Sequence, residues 1–559
     1  MSESGRLGIG TILFRNGTLW TGARPAPQSG WLLVQGDRVA GCGTTGEPEP
    51  AAETTVDLEG SHLLPGFCDA HSHLSVGAWL PAVGDGRSLR STGDALAAVR
   101  AAAAEKPPGA WIVFGRADLD HWRGGRVPTA EALDEASAGR PVLLADLTLH
   151  RGVLSSEGLR RSEIGRETHD PLGDIVRGRR GEPTGLVWER AFGRALYNAL
   201  RALAADAGEA GVDGLLDREA QAHLRLGITR VHEPGVPPEV HARLAALAAR
   251  TPLRLSWSAS ASVGFLEPPD DPRTLPPGPY GEAPASVKFF LDGATRCALC
   301  LPPGAVLASL GRALQAALVE RDVAPLAMLA AQRTRLDGLH LHMAWERFDE
   351  PALRARVGAF AGAGFVPRLH AIGNAAVAQA ARTLAAVRTP HATIEHVLLA
   401  RPEEIALLAA CGVIVSTQPG FIPTHGPAMR ALGLDVGLRP VPLGSLLRGG
   451  VAIAISSDHP CGPLDPLHNL RHAVSRRLPD GERLAAAEAI TPGEALHAAT
   501  AGGAAAVGFA GEGTLVAGAA ADLVVCSGDP FAEGSRVAST WVGGRRAWPP
   551  AAPEGVRES

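Results

Sequence analysis

Residues 63–74 read LLPGFCDAHSHL, in which His71 and His73 stand two apart at the end of an apolar run. Side chains two apart on a β-strand face the same way. We therefore expect both imidazoles, together with Asp69, to point to one side at a strand end. Such a pair is either an ordinary polar strand end or half of a metal site whose other ligands lie far along the chain.

Seven further apolar runs of strand length follow, separated by stretches with helical periodicity that end near glycine. With the first run, the predicted strands are 66–74, 227–235, 253–261, 286–294, 364–373, 392–399, 412–419 and 451–460. Eight strands alternating with helices predict an α/β fold of the (β/α)8 type, a TIM-like barrel. In such barrels the active site lies at the carboxyl ends of the strands.

Both ends of the chain contain short strands with glycine-rich turns, which predicts a small β-sandwich domain built from the two termini. We place its parts at residues 1–64 and 506–559, and the barrel at residues 65–505. The segment from about 80 to 215 is too long for one loop of a barrel. We expect it to be an insertion after the first barrel strand that covers the barrel mouth.

The composition excludes several functional classes. With 559 residues and a net charge of −5, the chain shows no basic patch that would indicate nucleic acid binding. No apolar run approaches the roughly 20 residues that span a bilayer. The first residues lack the pattern of a signal peptide, and seven scattered cysteines fit reduced thiols. We expect a cytoplasmic enzyme that acts on small molecules. The sequence does not decide whether it forms a homodimer.

Polar residues end several of the predicted barrel strands. His370 ends RLHAIG, His396 ends TIEHV and Asp458 ends VAIAISSDHP. Zn²⁺ binds imidazole and carboxylate well, and a catalytic zinc keeps one position open for water. Together with His71 and His73, these residues predict a site for one or two divalent ions, with zinc the expected metal.

Lys288 lies in the apolar run ASVKFFLDG, although only two of the chain's 53 basic residues are lysine. A buried cation is costly without a purpose. A neutral lysine can react with CO₂ to form a carbamate that bridges two metals, which arginine cannot do. Alternatively, Lys288 binds a substrate carboxylate or pairs with the nearby Asp292.

Six motifs occur in the order seen in the metal-dependent amidohydrolase superfamily: PGFCDAHSHL, VKFFLDGA, HAIGNAAV, IEHV, SSDHPCGPLDPL and GAAADLVVCSGDP. More narrowly, the chain resembles amidohydrolase family 3, which includes N-substituted formamide deformylases, over residues 10 to 545. The resemblance implies a TIM-like barrel with a flanking β-sandwich, and a hydrolase of carbon–nitrogen bonds other than peptide bonds.

The resemblance also implies roles for individual residues. His71, His73 and Asp458 would bind the first metal, His370 and His396 the second, and Lys288 would bridge them as a carbamate. Substrate contacts would come from His150 and His232, which match family positions, and we add Asp292 and Arg368 as candidates.

The chain departs from the family pattern around the expected pocket. Asn374 replaces the usual acid of HAIGD, residues 292–300 read DGATRCALC, and Arg368 stands where another histidine is common. These departures leave the expected ligand set unchanged, but they leave the substrate unidentified.

The implied reaction is hydrolysis of an amide, such as an N-formyl or N-acyl amine, by metal-activated water. Asp458 would act as the general base and then protonate the leaving nitrogen. Either His396 or His150 would stabilise the developing oxyanion.

Two alternatives remain: a mononuclear deaminase of a nucleobase-like ring, and a catalytically silent barrel that binds a ligand. A second His-x-His pair, His340 and His342, precedes the helix before the His370 strand, and we expect it to line a loop or pocket.

Overall fold

The structure is a computed structural model that describes residues 10–550, except for residues 123–125, 261–268, 295, 322–325, 327–328 and 331. The ends of both predicted terminal segments, residues 1–9 and 551–559, therefore lie outside the described residues, as do residue 261 of a predicted barrel strand and residue 295 of the DGATRCALC stretch.

The strands are β1 (Thr11–Leu19), β2 (Gln28–Gln35), β3 (Arg38–Thr44), β4 (Thr54–Asp57), β5 (His62–Pro65), β6 (Phe67–Asp69), β7 (Gly84–Asp85), β8 (Ile112–Ala117), β9 (Val142–Asp146), β10 (Arg151–Leu154), β11 (Ile175–Arg177), β12 (Pro183–Trp188), β13 (Ile228–Val236), β14 (Arg254–Ala259), β15 (Ser286–Phe290), β16 (Leu299–Leu301), β17 (Thr334–Asp337), β18 (His340–Met343), β19 (Val366–Ala371), β20 (Thr393–His396), β21 (Leu399–Ala400), β22 (Ile414–Thr417), β23 (Arg439–Pro440), β24 (Ala452–Ile455), β25 (Leu523–Cys526), β26 (Val537–Val542) and β27 (Arg545–Trp548).

The α-helices of the described residues are α1 (Leu74–Gly77), α2 (Thr92–Glu105), α3 (Ala130–Ser137), α4 (Ser156–Arg161), α5 (Glu189–Arg225), α6 (Pro238–Arg250), α7 (Pro303–Gln315), α8 (Glu350–Gly362), α9 (Asn374–Val387), α10 (Pro402–Cys411), α11 (Phe421–Ala431), α12 (Leu443–Arg448), α13 (Pro466–Ser475), α14 (Pro492–Ala499) and α15 (Ala501–Ala506). Local chemistry sets several of their first turns. Asp349, for example, accepts a hydrogen bond from the Ala352 amide at the start of α8, as N-cap residues do.

The predicted barrel is confirmed. Eight parallel strands form one sheet in the order β24-β22-β20-β19-β15-β14-β13-β6, and each corresponds to one of the eight predicted runs. Most of their residues are buried, as in parallel sheets covered by helices on the outside. The prediction succeeded because a near-continuous apolar run of strand length is what this burial requires.

The barrel closes between its first and last strands. Beyond the ends of β6 and β24, the Asp458 amide donates to the His71 carbonyl (2.8 Å) and the His73 amide donates to the His459 carbonyl (2.6 Å). We call this junction, residues 69–73 with residues 456–459, the seam. It brings residues from opposite ends of the barrel sequence into direct contact.

Strands from both ends of the chain share one sheet, in the order β27-β26-β25-β5-β1-β2-β3 with β4 paired to β1. Between β6 and β13, a separate six-stranded sheet in the order β11-β12-β10-β9-β8-β7 has apolar cores of its own. A third sheet, β16-β18-β17, lies in the segment between β15 and α8.

Candidate metal centre

His71, His73 and Asp458 meet at the seam. The Oδ1 atom of Asp458 lies 3.2 Å from His71 Nε2 and 3.3 Å from His73 Nε2. Although burial raises the pKa of Asp458, the two imidazoles hold it well below its ordinary value. The structure thus brings together a carboxylate and two histidines that the sequence predicts as ligands of one metal.

Strand alternation is not what aims these side chains, because β6 ends at Asp69 and β24 ends at Ile455. His71, His73 and Asp458 lie in the turns that follow, and Asp458 has a left-handed backbone with φ 53°. Asp69 holds both turns, because its carboxylate accepts from the His71 amide (3.4 Å) and from the Ser457 amide (3.0 Å) and hydroxyl (2.5 Å). His71, His73 and Asp458 therefore lie together as the sequence predicts, but the turns after the strands, rather than strand alternation, place them there. Asp69 stabilises the seam.

His370 and His396 lie beside this group at the ends of β19 and β20. Their ring centroids are 4.5 Å apart, and the His396 ring is 4.8 Å from that of His71. His396 Nδ1 is 2.9 Å from Gln418 Oε1, and Gln418 Nε2 donates to Ser456. The Gln418 oxygen therefore accepts from Nδ1, which leaves Nε2 of His396 free to bind a metal, as is typical of metal-bound histidines.

Glu395 is a member of the cluster that the sequence reasoning missed. Its Oε2 atom lies 3.0 Å from His71 Nδ1 and contacts Lys288 Nζ. Glu395 pairs in register with His370, and the backbone turns left-handed at the next residue, His396, with φ 75°. That turn breaks the strand alternation, so two consecutive side chains reach the same cluster. Glu395 belongs to the IEHV motif. Its charged side chain within an apolar strand was the sequence signal that could have identified it as a member of the cluster.

Several polar atoms of this cluster are buried and have no hydrogen-bond partner among the described residues. They are His71 Nδ1, Lys288 Nζ, His370 Nε2, both carboxylate oxygens of Glu395 and Asp458 Oδ1. Their near neighbours are one another: Glu395 Oε2 lies beside His71 Nδ1 and Lys288 Nζ, and Asp458 Oδ1 lies beside the Nε2 atoms of His71 and His73. Buried polar groups are normally hydrogen-bonded, so this concentration of donor atoms leaves capacity for a further partner. A divalent cation fits this donor set of imidazoles and carboxylates.

The protonation states suit metal binding as well. Burial lowers the pKa of His370 and of His396 well below the ordinary value, so both rings are neutral and can donate a lone pair. Two overlapping triplets have ligand atoms within 4.8 Å of one another: His71 with Glu395 and His396, and His71 with His73 and Asp458. Burial also lowers the pKa of Lys288 well below its ordinary value.

His150 reaches the cluster from the inserted sheet. Its ring centroid is 5.2 Å from that of His370, and its Nδ1 atom lies 2.7 Å from Glu189 Oε2. The Glu189 amide also donates to the His150 carbonyl (2.6 Å). Although burial opposes it, the Glu189 carboxylate raises the pKa of His150. Glu189 was also missed by sequence, because nothing local marks the glutamate that opens α5 as a partner of His150.

The other three predicted substrate contacts are used within the protein. His232 bonds Ser256 through Nδ1 (2.9 Å) and Ser258 through Nε2 (2.8 Å). Arg368 donates to the Thr393 hydroxyl and to the Ala506 carbonyl, below the His370 level of the barrel. Arg368 lies two residues before His370 on β19 and pairs in register with Lys288 on β15.

Asp292 accepts from three backbone amides, those of Ala298, Ile372 and Gly373. It therefore ties the loop after β15 to the end of β19, with Oδ1 3.7 Å from His370 Nε2. Among the described residues, Asp292 forms no ion pair with Lys288. Its carboxylate orients the His370 segment, and its hydrogen-bonding capacity is largely used there.

Two departures from the family pattern meet each other in the structure. The Asn374 side chain accepts from the Cys300 amide (2.9 Å) and donates to the Cys300 carbonyl (3.1 Å). An ionised aspartate could not make the second bond, because it has no proton to donate. Asn374 and the DGATRCALC stretch therefore form one structural unit, which holds β16 against α9.

The second His-x-His pair lies outside the barrel, on β18. His342 contacts Glu346 and lines a surface cavity of about 590 Å³ together with residues of α9. The expectation that this pair lines a pocket rather than joins the barrel-end ligands agrees with this position.

Comparison with known proteins supports the same assignment of fold and family. A sequence model described as "Amidohydrolase family" matches residues 54–547. The chain is 27% identical over 523 residues to an N-substituted formamide deformylase of Arthrobacter pascens, covering 89% of this chain and 90% of that protein. It is 25% identical to Protein LONG AFTER FAR-RED 3 of Arabidopsis thaliana, with 97% and 92% covered.

Among solved structures, an uncharacterized metal-dependent hydrolase from Pyrococcus horikoshii OT3 has a similar fold. Its TM-score is 0.65 at 20% identity, and 93% of this chain and 98% of that chain are covered. Within the described residues, every helix is too short or too polar to cross a membrane.

Proposed function

This chain belongs to the amidohydrolase family, and we propose that it hydrolyses the carbon–nitrogen bond of a small-molecule amide, such as an N-formyl or N-acyl amine. The observation that carries the proposal is the contact of Asp458 with both His71 and His73, next to the buried side chains of Glu395 and His396. This arrangement provides a general base directly beside a set of metal ligands.

We propose His71, His73, His370, His396 and Asp458 as ligands of one or two divalent ions, with Zn²⁺ the preferred ion. A metal held there would polarise the substrate carbonyl and lower the pKa of water toward about 7. The free Nε2 of His396 supports its place in the ligand set rather than on the substrate.

The chain's own residues carry the proton transfers. Asp458 accepts the proton of the attacking water as the water oxygen bonds to the carbonyl carbon. It then delivers that proton to the nitrogen as the C–N bond breaks. His150, whose Nδ1 is held by Glu189 and whose ring lies beside that of His370, donates from its other ring nitrogen to the developing oxyanion.

Two side chains are alternative sources of an anionic oxygen ligand at the centre of the cluster. One is a carbamate on Lys288, which the lowered pKa of the buried amine favours. The other is the carboxylate of Glu395, which contacts the same amine. A centre without the carbamate is also what the second candidate function, a mononuclear deaminase of a nucleobase-like ring, would require.

We also propose the domain limits predicted from sequence, with the barrel at residues 65–505 and the insertion at about 80–215. They are supported by the sheet that joins β1–β5 to β25–β27 and by the separate sheet of the insertion. Limited proteolysis that cuts first within residues 80–215 and leaves the barrel intact would agree with these limits.

The test of function is metal analysis of the purified protein combined with a substrate screen. The screen covers N-formyl amines, N-acyl amines and aminated nucleobases, and ammonia release distinguishes the deaminase. We expect bound metal and turnover of at least one amide, abolished by chelation and restored by adding metal. A protein that cannot be reconstituted to activity on any amide would contradict the proposal.

A further inference from the structure

The C-terminal half of α5 carries two polar side chains on its buried face. Glu219 and His223 are one helical turn apart, so they face the same way. The other buried residues of this half are apolar: Val212, Leu215, Leu216, Ala220 and Leu224. A buried carboxylate is costly unless its position brings it to a partner. The partners of Glu219 and His223 lie on the two sides of the seam.

His223 reaches the side of the seam that follows β6. Its Nδ1 atom lies 2.8 Å from the Glu219 carbonyl oxygen, and its Nε2 atom lies 3.3 Å from the Ser72 hydroxyl oxygen. Burial lowers the pKa of His223 to about 4, so the ring is neutral. Because a carbonyl only accepts, the single proton is on Nδ1, and Nε2 accepts from the Ser72 hydroxyl. Ser72 stands between His71 and His73, so this hydrogen bond holds the backbone between two proposed ligands.

Glu219 reaches the other side of the seam. Its Oε1 atom lies 3.1 Å from Nε2 of His459, the residue directly after Asp458. The His459 carbonyl accepts from the His73 amide. His459 therefore contacts α5 with its ring and the opposite side of the seam with its backbone, so the position of its ring affects both the Asp458 turn and the turn that carries His73.

A glycine in α1, the helix that follows His73, leaves room for this contact. A Cβ atom on Gly77 would lie 2.7 Å from Nε2 of His459 and 3.1 Å from Oε1 of Glu219. Both distances are shorter than the roughly 3.5–4.0 Å of favourable contact between non-bonded heavy atoms. Replacing Gly77 by alanine would therefore displace this pair while it keeps every polar group of the network.

We propose that Glu219 and His223 are positioning residues of the metal centre. Through them α5 clamps the two sides of the seam, at Ser72 on one side and at His459 on the other. This inference rests on the proposed function, because the clamp acts on the proposed metal ligands. The same helix begins at Glu189, which holds the proposed oxyanion donor. One helix thus supports both the metal ligands and the group that acts on the substrate.

The test uses the full-length purified protein and three readouts besides activity. Metal affinity is measured by competition with a chelator, the visible spectrum of the Co²⁺-loaded protein reports the geometry of the ligands, and thermal unfolding reports stability. The variants are Glu219→Gln, His223→Leu and Gly77→Ala. The matched control is Glu488→Gln, because Glu488 is another buried glutamate and accepts from the Ser445 amide and hydroxyl on α12.

Glu219→Gln and His223→Leu should each weaken metal binding by about 10- to 100-fold and change the Co²⁺ spectrum, as expected for residues that orient metal ligands. Gly77→Ala should act in the same direction with a smaller loss, because all polar groups remain. Glu219→Asp, which restores a carboxylate on a shorter side chain, should bind metal more tightly than Glu219→Gln. Glu488→Gln should lower thermal stability and keep the wild-type affinity and spectrum.

Wild-type affinity and an unchanged Co²⁺ spectrum in folded Glu219→Gln and His223→Leu proteins would overturn the inference, even if both unfold at a lower temperature. An effect in only one of the two would also overturn it, because a clamp needs both sides. If either variant does not fold, wild-type affinity and spectrum in Gly77→Ala would overturn it instead. Each of these results, with metal and amide hydrolysis present in the wild-type protein, would leave the proposed function standing. A wild-type protein that binds no divalent metal would contradict the proposed function and the inference together.

Discussion

The chain contains two His-x-His sequences, and they lie in different surroundings. His71 and His73 follow the first barrel strand and share the Asp458 carboxylate across the seam. His340 and His342 lie on β18, a strand of a three-stranded sheet outside the barrel, where His342 contacts Glu346. The spacing is the same, but only the first pair lies at the carboxyl edge of the parallel strands. Position in the barrel, rather than spacing, distinguishes the proposed ligand pair from the other His-x-His sequence.

The sharpest test of this difference is to remove one histidine from each pair. His73→Ala should lose bound metal and lower amide hydrolysis below detection, because a ligand at the seam is removed. His342→Ala is the matched control from the other pair. Equal metal loss in the two variants, measured by mass spectrometry, would contradict the distinction.

Asp458→Asn should reduce kcat by about 10²- to 10⁴-fold, the range expected when a general base is lost. The amide keeps the volume of the side chain but cannot accept the proton of water. Steady-state kinetics with metal saturated would measure the effect, and circular dichroism would check the fold. Turnover at the wild-type level with full metal content would contradict the role of Asp458 as the general base.

His150→Gln should reduce kcat by about 10²- to 10³-fold, as expected when an oxyanion donor is removed, while metal content stays at the wild-type level. This outcome would separate the inserted sheet, which acts on the substrate, from the barrel strands, which hold metal. If metal is lost in this variant, His150 acts as a ligand instead.

Glu189→Gln should have a smaller effect, about 10-fold to 100-fold on kcat, because Glu189 acts through His150. KM should change little, and metal content should not change. A purely structural role predicts a lower melting temperature with kcat unaffected for the folded fraction, so thermal unfolding and kinetics together distinguish the two roles.

The smallest effect is expected at His342. His342→Ala should leave metal content and amide hydrolysis close to the wild-type level, because His342 lies outside the barrel and contacts Glu346 rather than a proposed metal ligand. A larger loss of hydrolysis with intact metal would connect the 590 Å³ cavity to the substrate path.

The barrel strands could be read from sequence because each is an apolar run that ends in a polar residue. The strand ends near His71, His370, His396 and Asp458 followed from the same runs. The backbone conformation of the residues at and after each strand end could not be predicted from the sequence. Left-handed residues at His396 and Asp458 break the alternation that sequence reasoning relies on.

Hydrogen-bond partners from distant segments of the chain could not be predicted either. Glu189 meets His150 only because the inserted sheet folds back, and Gln418 meets His396 from the neighbouring strand. Three of the four predicted substrate contacts, Asp292, His232 and Arg368, have hydrogen-bond partners within the protein. Sequence shows that a residue is polar and near a strand end, but not whether its hydrogen bonds are already made.

The seam has a consequence for the order of events during synthesis. Its ligands come from the first and last barrel strands, so His71 and His73 leave the ribosome long before Asp458 does. Domains fold during synthesis as their segments emerge, N-terminal parts first. His71 and His73 therefore lack the Asp458 carboxylate until every other barrel strand has been synthesised. A metal held by these three residues would therefore acquire its carboxylate ligand only when the barrel closes.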